Sequence, residues 1–202
     1  MPVTINGDGS ITGLSVGGLG SGVVNTATLA DGAASGSKLT MPSGSVIQTV
    51  QSVKTNTQSF STGSQTLSDS YFDISGLSVS LTPASGTKCL VSYAVNVGGQ
   101  AGYGQGLVLF RDSTQIYLGN ADGSTIRLSN FDYTVDNKKV DSMSGQFLDT
   151  HGANGSTAVT YKLQMYVAEP GWTTRVNRSQ STASDRDYGR GASSITVMEI
   201  AA

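Results

Sequence analysis

Val159-Thr160-Tyr161-Lys162-Leu163-Gln164-Met165-Tyr166-Val167 places a large apolar side chain at every odd position, with Thr160, Lys162, Gln164 and Tyr166 between them. Successive side chains of a strand point to opposite faces, whereas a helix needs apolar residues three and four apart. This stretch therefore predicts a strand with one covered face. The same period recurs on its N-terminal side. Cys89, Val91, Tyr93, Val95 and Val97 fall in phase, and Leu77, Val79 and Leu81 alternate with Ser78, Ser80 and Thr82 before the breaker Pro83. Leu107 to Phe110 is a continuous apolar run, as expected of a strand covered on both faces. Arg111-Asp112-Ser113-Thr114 reads as a turn into a strand over 115–118.

Further strands are predicted over 46–53, 71–74, 143–148 and 195–200, and no segment reads as a helix. Short strands separated by Gly, Ser and Asn turns describe an all-β chain, a jelly-roll-like antiparallel β-sandwich over residues 43–202. Cys89, in phase with its apolar neighbours, is expected as a small buried thiol, and a lone cysteine forms no intrachain disulfide.

Residues 1–42 read differently. They are rich in Gly, Ser, Thr and Ala, and their large apolar residues come singly: Ile5, Ile11, Leu14, Val16, Leu19, Val24, Leu29 and Leu39. Glycines oppose a helix, and no amphipathic period is present. Two decapeptides stand end to end, Gly22-Val23-Val24-Asn25-Thr26-Ala27-Thr28-Leu29-Ala30-Asp31 and Gly32-Ala33-Ala34-Ser35-Gly36-Ser37-Lys38-Leu39-Thr40-Met41, with Leu29 aligned on Leu39. Such a unit cannot close a core alone, so the repeat implies stacking on copies of itself or docking on a partner. The segment is read as extended and ordered by its neighbours, with Val24, Leu29 and Leu39 packing a short shaft. A flexible linker is the plain alternative.

Composition narrows the function. The chain has 202 residues, 12 Lys and Arg against 14 Asp and Glu, and 13% charged residues where soluble domains carry about 25%. A near-neutral chain lacks the dense positive charge that nucleic acid or an anionic membrane attracts. The opening Met1-Pro2-Val3-Thr4-Ile5-Asn6-Gly7-Asp8 lacks the basic start and apolar run of a signal peptide, and no stretch is long and apolar enough to insert in a membrane. Assembly in a cytoplasm without a secretion step is the expectation.

Catalysis finds little footing. His151, the single histidine, sits in Asp149-Thr150-His151-Gly152-Ala153-Asn154-Gly155, read as an exposed turn with no nucleophile elbow nearby. Three copies sharing a metal on a threefold axis is a residual idea; no metal or cofactor is expected. Asp132, Asp136 and Asp141 are spaced too widely for a calcium loop. No Lys-Ser/Thr follows the glycines of 98–106, as a phosphate loop requires. Arg175, Arg178, Arg186 and Arg190 stand beside Asp185 and Asp187, and the alternating signs suggest a local or intersubunit ion-pair network. Tyr103, Phe131, Tyr133 and Trp172 lie in turn-rich stretches, where rings stack on sugars or cover the end of a sandwich. Asn177-Arg178-Ser179 fits the glycosylation acceptor pattern, discounted for want of a secretory signal.

Val176-Asn177-Arg178-Ser179, followed by Gly189-Arg190-Gly191-Ala192-Ser193-Ser194-Ile195-Thr196-Val197-Met198-Glu199-Ile200, resembles the C-terminal signature of bacteriophage fibre and decoration proteins of aquatic and cyanobacterial phages. Asn6-Gly7-Asp8-Gly9-Ser10-Ile11-Thr12-Gly13-Leu14 is similar to their N-terminal attachment segments, and Asp31 to Leu39 to their shaft repeats. Phe72-Asp73-Ile74-Ser75-Gly76-Leu77-Ser78-Val79-Ser80-Leu81-Thr82-Pro83 is similar to an early strand pair of that family. The resemblance implies a homotrimer in the virion: Ile5, Ile11, Leu14, Val16 and Leu19 would attach it to a tail baseplate, an adaptor or the major capsid protein. The sandwich would face outward, with Tyr103, Tyr133, Trp172 and Tyr188 as receptor-contact candidates toward host surface polysaccharide. Two shaft repeats are too few for a long tail fibre, and residues 98–139 match nothing in the family. A short tail fibre is the leading expectation, a capsid decoration or head-fibre protein the second, and a polysaccharide depolymerase the third. A cytokine-like trimeric ligand shares the predicted fold, but the missing export signal argues against it.

Overall fold

The computed structural model describes residues 4–5, 11–12, 41–62, 71–181 and 186–202. Two units divide the chain, Met1–Met41 and Pro42–Ala202. In the first, β1 (Thr4–Ile5) pairs antiparallel with β2 (Ile11–Thr12), setting Ile5 opposite Ile11. The other attachment and shaft candidates, Leu14, Val16, Leu19, Val24, Leu29 and Leu39, lie outside the described residues.

In the second unit the alternation of the sequence becomes burial. Its strands are β3 (Val46–Lys54), β4 (Gln58–Ser61), β5 (Tyr71–Leu81), β6 (Lys88–Gly98), β7 (Tyr103–Arg111), β8 (Thr114–Ile116), β9 (Asn130–Thr134), β10 (Asp141–Asp149), β11 (Val159–Val167), β12 (Thr173–Val176) and β13 (Ser193–Ile200). One sheet runs β10-β6-β13-β3, with β12 and β4 continuing the columns of β13 and β3; the other runs β5-β11-β7, whose outer edge β8 and β9 share. Leaving aside the short β4, β8 and β12, the first sheet holds the first, eighth, third and sixth strands in chain order. The second holds the second, seventh, fourth and fifth. That order, antiparallel throughout, is a jelly roll: two sheets wound as Greek keys around one core.

Residues from both inner faces fill that core. Leu77, Val79, Leu107, Leu109, Leu163 and Met165 of one sheet meet Cys89, Val91, Val95, Val97, Ile195 and Val197 of the other. Cys89 is a fully buried free thiol, as its phase predicts. Strand β7 is covered on both faces: Leu107 and Leu109 join the core, and Val108 and Phe110 are buried on the other side.

Three departures from the sequence reading have local causes. The strands expected over 71–74 and 77–81 are one, β5, which runs through Gly76 at φ 80°. The strand expected over 115–118 stops at Ile116, because Tyr117 adopts φ 56°, a left-handed conformation incompatible with a ladder. Residues 130–134, read as connection, form β9. The neighbouring β7 explains this, since Gly104 leaves room for the Phe131 ring and Gly106 for Leu128; a Cβ at either would collide with them.

Candidate functional site

The two ends of the sandwich differ. At one end the chain enters: the Gly44 amide donates to the Ala201 carbonyl (2.8 Å), the Ala201 amide donates to the Ser45 carbonyl (2.9 Å), and Val46 pairs with Ile200. The opposite end carries the connections β6–β7, β9–β10, β11–β12 and β12–β13. All four receptor-contact candidates lie there. Tyr103 and Trp172 stack, their ring centroids 3.7 Å apart and planes 21° off parallel. Tyr133 is exposed, and its hydroxyl donates to the Gly102 carbonyl (2.6 Å). Tyr188 has the Lys138 ammonium 5.8 Å from its ring centroid. Asn137 ties these loops together, its Oδ1 accepting from the Ala101 amide (2.8 Å) and its carbonyl from the Gln180 amide (3.0 Å).

Phe131, named in the sequence but not among the receptor candidates, is 59% exposed beside Tyr133 at 55%. Its signal was the alternation Phe131-Asp132-Tyr133-Thr134-Val135. Phe131 also lines a cleft of about 400 Å³ with Ile126, Leu128 and Arg127. An aromatic row of this kind offers apolar ring faces with polar rims, the chemistry that sugar faces accept.

Residues 176–179 and Ser193 are held by a buried hub. Asn177 is fully buried at φ 64°; its Nδ2 donates to the carbonyls of Lys54 (2.8 Å) and Asn56 (3.0 Å), and its Oδ1 accepts from the Ser193 hydroxyl. Ser193 Oγ in turn accepts from the Asn96 amide (3.0 Å). The hub ties Asn177 to Ser193 across the C-terminal stretch, and a fully buried Asn177 is no glycan acceptor.

The ion-pair network, expected to be local or intersubunit, does not take its local form among the described residues. Asp187 pairs with Lys138, and Asp185 lies outside the described residues. Arg175 Nη1 donates to the Thr173 carbonyl (3.1 Å) and to Gln180 Oε1, and Arg178 Nη2 donates to Ser59 Oγ (3.4 Å). Neither guanidinium meets a carboxylate among the described residues, and the Nε of each is buried without an acceptor. Burial, then the neighbouring Arg178 charge, lowers the pKa of Arg175.

His151 also corrects the sequence reading: it is 9% exposed, not an open turn residue. The Ala153 amide donates to its Nδ1 (2.9 Å), so Nε2 carries the proton and donates to Thr87 Oγ1 (3.2 Å). The Thr87 hydroxyl has Glu199 Oε1 at 2.8 Å and the Ala84 carbonyl at 2.9 Å as acceptors. A nucleophile–base pair needs the hydroxyl to donate to the imidazole, and here the polarity runs the other way. Both ring nitrogens are occupied within the chain, so a metal shared on a threefold axis does not fit them. Nearby, the Asp149 carboxylate takes Arg111 Nη1 (2.8 Å) and the Tyr161 hydroxyl (2.7 Å), closing this end of the core.

The outer face of the β10-β6-β13-β3 sheet is a second surface of note. Its rungs read Thr49–Met198–Leu90–Leu148, then Gln51–Thr196–Ser92–Gln146, then Val53–Ser194–Ala94–Ser144. Lys88 stands at one margin and Arg175 at another, and none of these rung residues is ionisable. Outward faces of antiparallel sheets ordinarily carry charge where they meet water.

The described strands define an all-β jelly-roll sandwich. No family model and no curated protein matches the sequence. Among solved structures, the chain is similar to one described as "Structure of infectious bursal disease virus Gt strain", with 12% identity and a TM-score of 0.41. The match covers 78% of this chain and 39% of that one.

Proposed function

We propose that this chain is a non-enzymatic structural protein of a phage virion. It is a short tail fibre that attaches through residues 1–42 and displays its sandwich as a homotrimeric head for host-surface adhesion. The observation that carries the reading is the polarity of the sandwich. The chain enters beside Ala201, while Tyr103, Phe131, Tyr133, Trp172 and Tyr188 gather at the opposite end. A protein held at one end and engaged at the other needs this arrangement. Three aligned heads turn weak single contacts into firm attachment.

Trimer formation draws support from the uncharged rungs, because copies related by symmetry can bury such a face without stranding a charge. The attachment partner is a tail baseplate or adaptor protein, or the major capsid protein, and the target is host surface polysaccharide. Electron cryomicroscopy of virions carrying the protein tests the placement: density at the tail is expected, and density on the capsid lattice replaces the fibre with a decoration protein. Purified full-length protein should compete with phage for adsorption. Absence of host binding, with unimpaired infection by virions lacking the protein, refutes adhesion. Release of soluble sugar from host glycan refutes a non-enzymatic role.

A further inference from the structure

Arg175 leaves β12 on the outer face of its sheet, opposite Ser59 of β4 and Gly98 of β6. Arg178 follows after the buried left-handed Asn177, and its backbone lies against Gly98, where a Cβ would collide with the Arg178 carbonyl. Both guanidinium groups thus lie beside Ser59: Arg175 is its ladder partner, and Arg178 Nη2 donates to its hydroxyl (3.4 Å). Among the described residues each has amide, carbonyl or hydroxyl partners only, and each keeps a buried Nε without an acceptor there. Four other cations meet carboxylates, Arg111 with Asp149, Lys138 with Asp187, Lys139 with Asp141 and Lys162 with Asp73; Lys54 and Arg127 meet carbonyl or amide oxygens, but each does so singly, not as a neighbouring pair. In a chain with few charges, an uncompensated cation pair works against stability, and such exceptions mark function. Guanidinium forks match the paired oxygens of carboxylates and sulfates in geometry as well as charge.

We infer that Arg175 and Arg178 form a receptor subsite for an oxyanion carried on a host glycan, at the end of the sandwich that bears the Tyr103–Trp172 stack. The ligand class is an acidic polysaccharide whose uronic carboxylate or sulfate ester meets the two forks while a sugar face meets an aromatic ring. This rests on the adhesion reading above and names its target chemistry.

The test uses the full-length protein against polygalacturonate, dextran sulfate and neutral dextran, with rising sodium chloride, and compares wild type with the Arg175→Gln/Arg178→Gln double variant. Wild type should bind at least one acidic polymer, more weakly as salt rises, and neutral dextran poorly. The double variant should lose about tenfold or more in affinity for the acidic polymer. Its melting temperature and its mass by light scattering should not fall. Equal binding of the acidic polymer by both proteins overturns the inference. So does a lower oligomer mass in the variant, which would assign the pair to a carboxylate of a neighbouring copy. Should the Gln variant fail to fold, Arg175→Lys/Arg178→Lys decides, since it keeps charge and loses the fork; undiminished affinity overturns the inference. Wild type that binds neutral and acidic polymers alike sinks the oxyanion subsite and leaves adhesion standing. Failure to bind host cells at all sinks adhesion itself.

Discussion

Replacing Asn177 by Ala tests whether the buried hub holds the C-terminal segment. The substitution removes two amide donors, to the Lys54 and Asn56 carbonyls, and the acceptor of the Ser193 hydroxyl. Asn56 lies at the exposed surface, where water can replace the lost bond. Lys54 and Ser193 are 2% and 1% exposed, so their groups lose a partner without gaining a solvent. At about 1–3 kcal/mol for each buried group left unsatisfied, those two contribute about 2–6 kcal/mol. The φ of 64° adds about 1 kcal/mol for Ala, which has a Cβ and no side-chain bond to offset it. The expected loss is about 3–7 kcal/mol, roughly a 10–20 °C fall in Tm for a domain of this size. Urea unfolding followed by the fluorescence of Trp172 measures it, at one protein concentration because assembly adds to apparent stability. Asn177→Gly removes the same bonds but accepts the backbone, so it should recover about 1 kcal/mol relative to Ala. An Ala variant within about 1 kcal/mol of wild type, or a Gly variant no better than Ala, refutes the reasoning.

Three more outcomes are expected. Burial raises the Glu199 carboxyl, but hydrogen bonds from Gln48, Ala84 and Thr87 outweigh it and hold the pKa below the ordinary carboxylate value. Its stabilisation is therefore present above the unfolded value of about pH 4.3 and is lost as pH falls through the lower folded value. Glu199→Gln should flatten the acid limb of a Tm–pH profile; an unchanged slope sinks the assignment. A double-mutant cycle on Tyr103→Ala and Trp172→Ala should return about 0.5–1.5 kcal/mol of coupling, and additivity in urea unfolding would show that the stack contributes nothing. Val53, 55% exposed on the edge strand β3, tolerates Lys within about 0.5 kcal/mol in an isolated domain. If the chain forms the trimer proposed above, Val53→Lys should lower the mass measured by light scattering; an unchanged mass removes that face from the proposed interface.

What the sequence showed and hid follows from where each signal lies. Strands β6 and β11 could be read directly, because one covered face imposes a period of two on Cys89 to Val97 and on Val159 to Val167. The ribbon β9 could not, because its large side chains are exposed and the reason it pairs lies in Gly104 and Gly106, far along the chain. Turn composition placed His151 on the surface. The Thr87 and Glu199 side chains that accompany it belong to distant segments, which composition does not report. The aromatic candidates were named for their turn-rich surroundings; the fold sets Tyr103 and Tyr133 on β7 and β9 and brings both to the same end as Trp172 and Tyr188. For the arginines, alternating signs along a chain do not specify partners in space: among the described residues Asp187 reaches Lys138, and neither Arg175 nor Arg178 meets a carboxylate.

The clasp between Gly44, Ser45 and Ala201 has a practical corollary for engineering. A reporter or affinity handle spliced after Ala202 would emerge beside Gly44, at the end opposite the Tyr103–Trp172 stack. Cargo meant for display belongs instead in a surface bend of the 120–123 stretch, whose residues are all open to solvent. Because the first and last strands of the sandwich lie side by side, a short bridge could also join residue 202 to residue 43, so that the order of strands could be recut without stretching the chain.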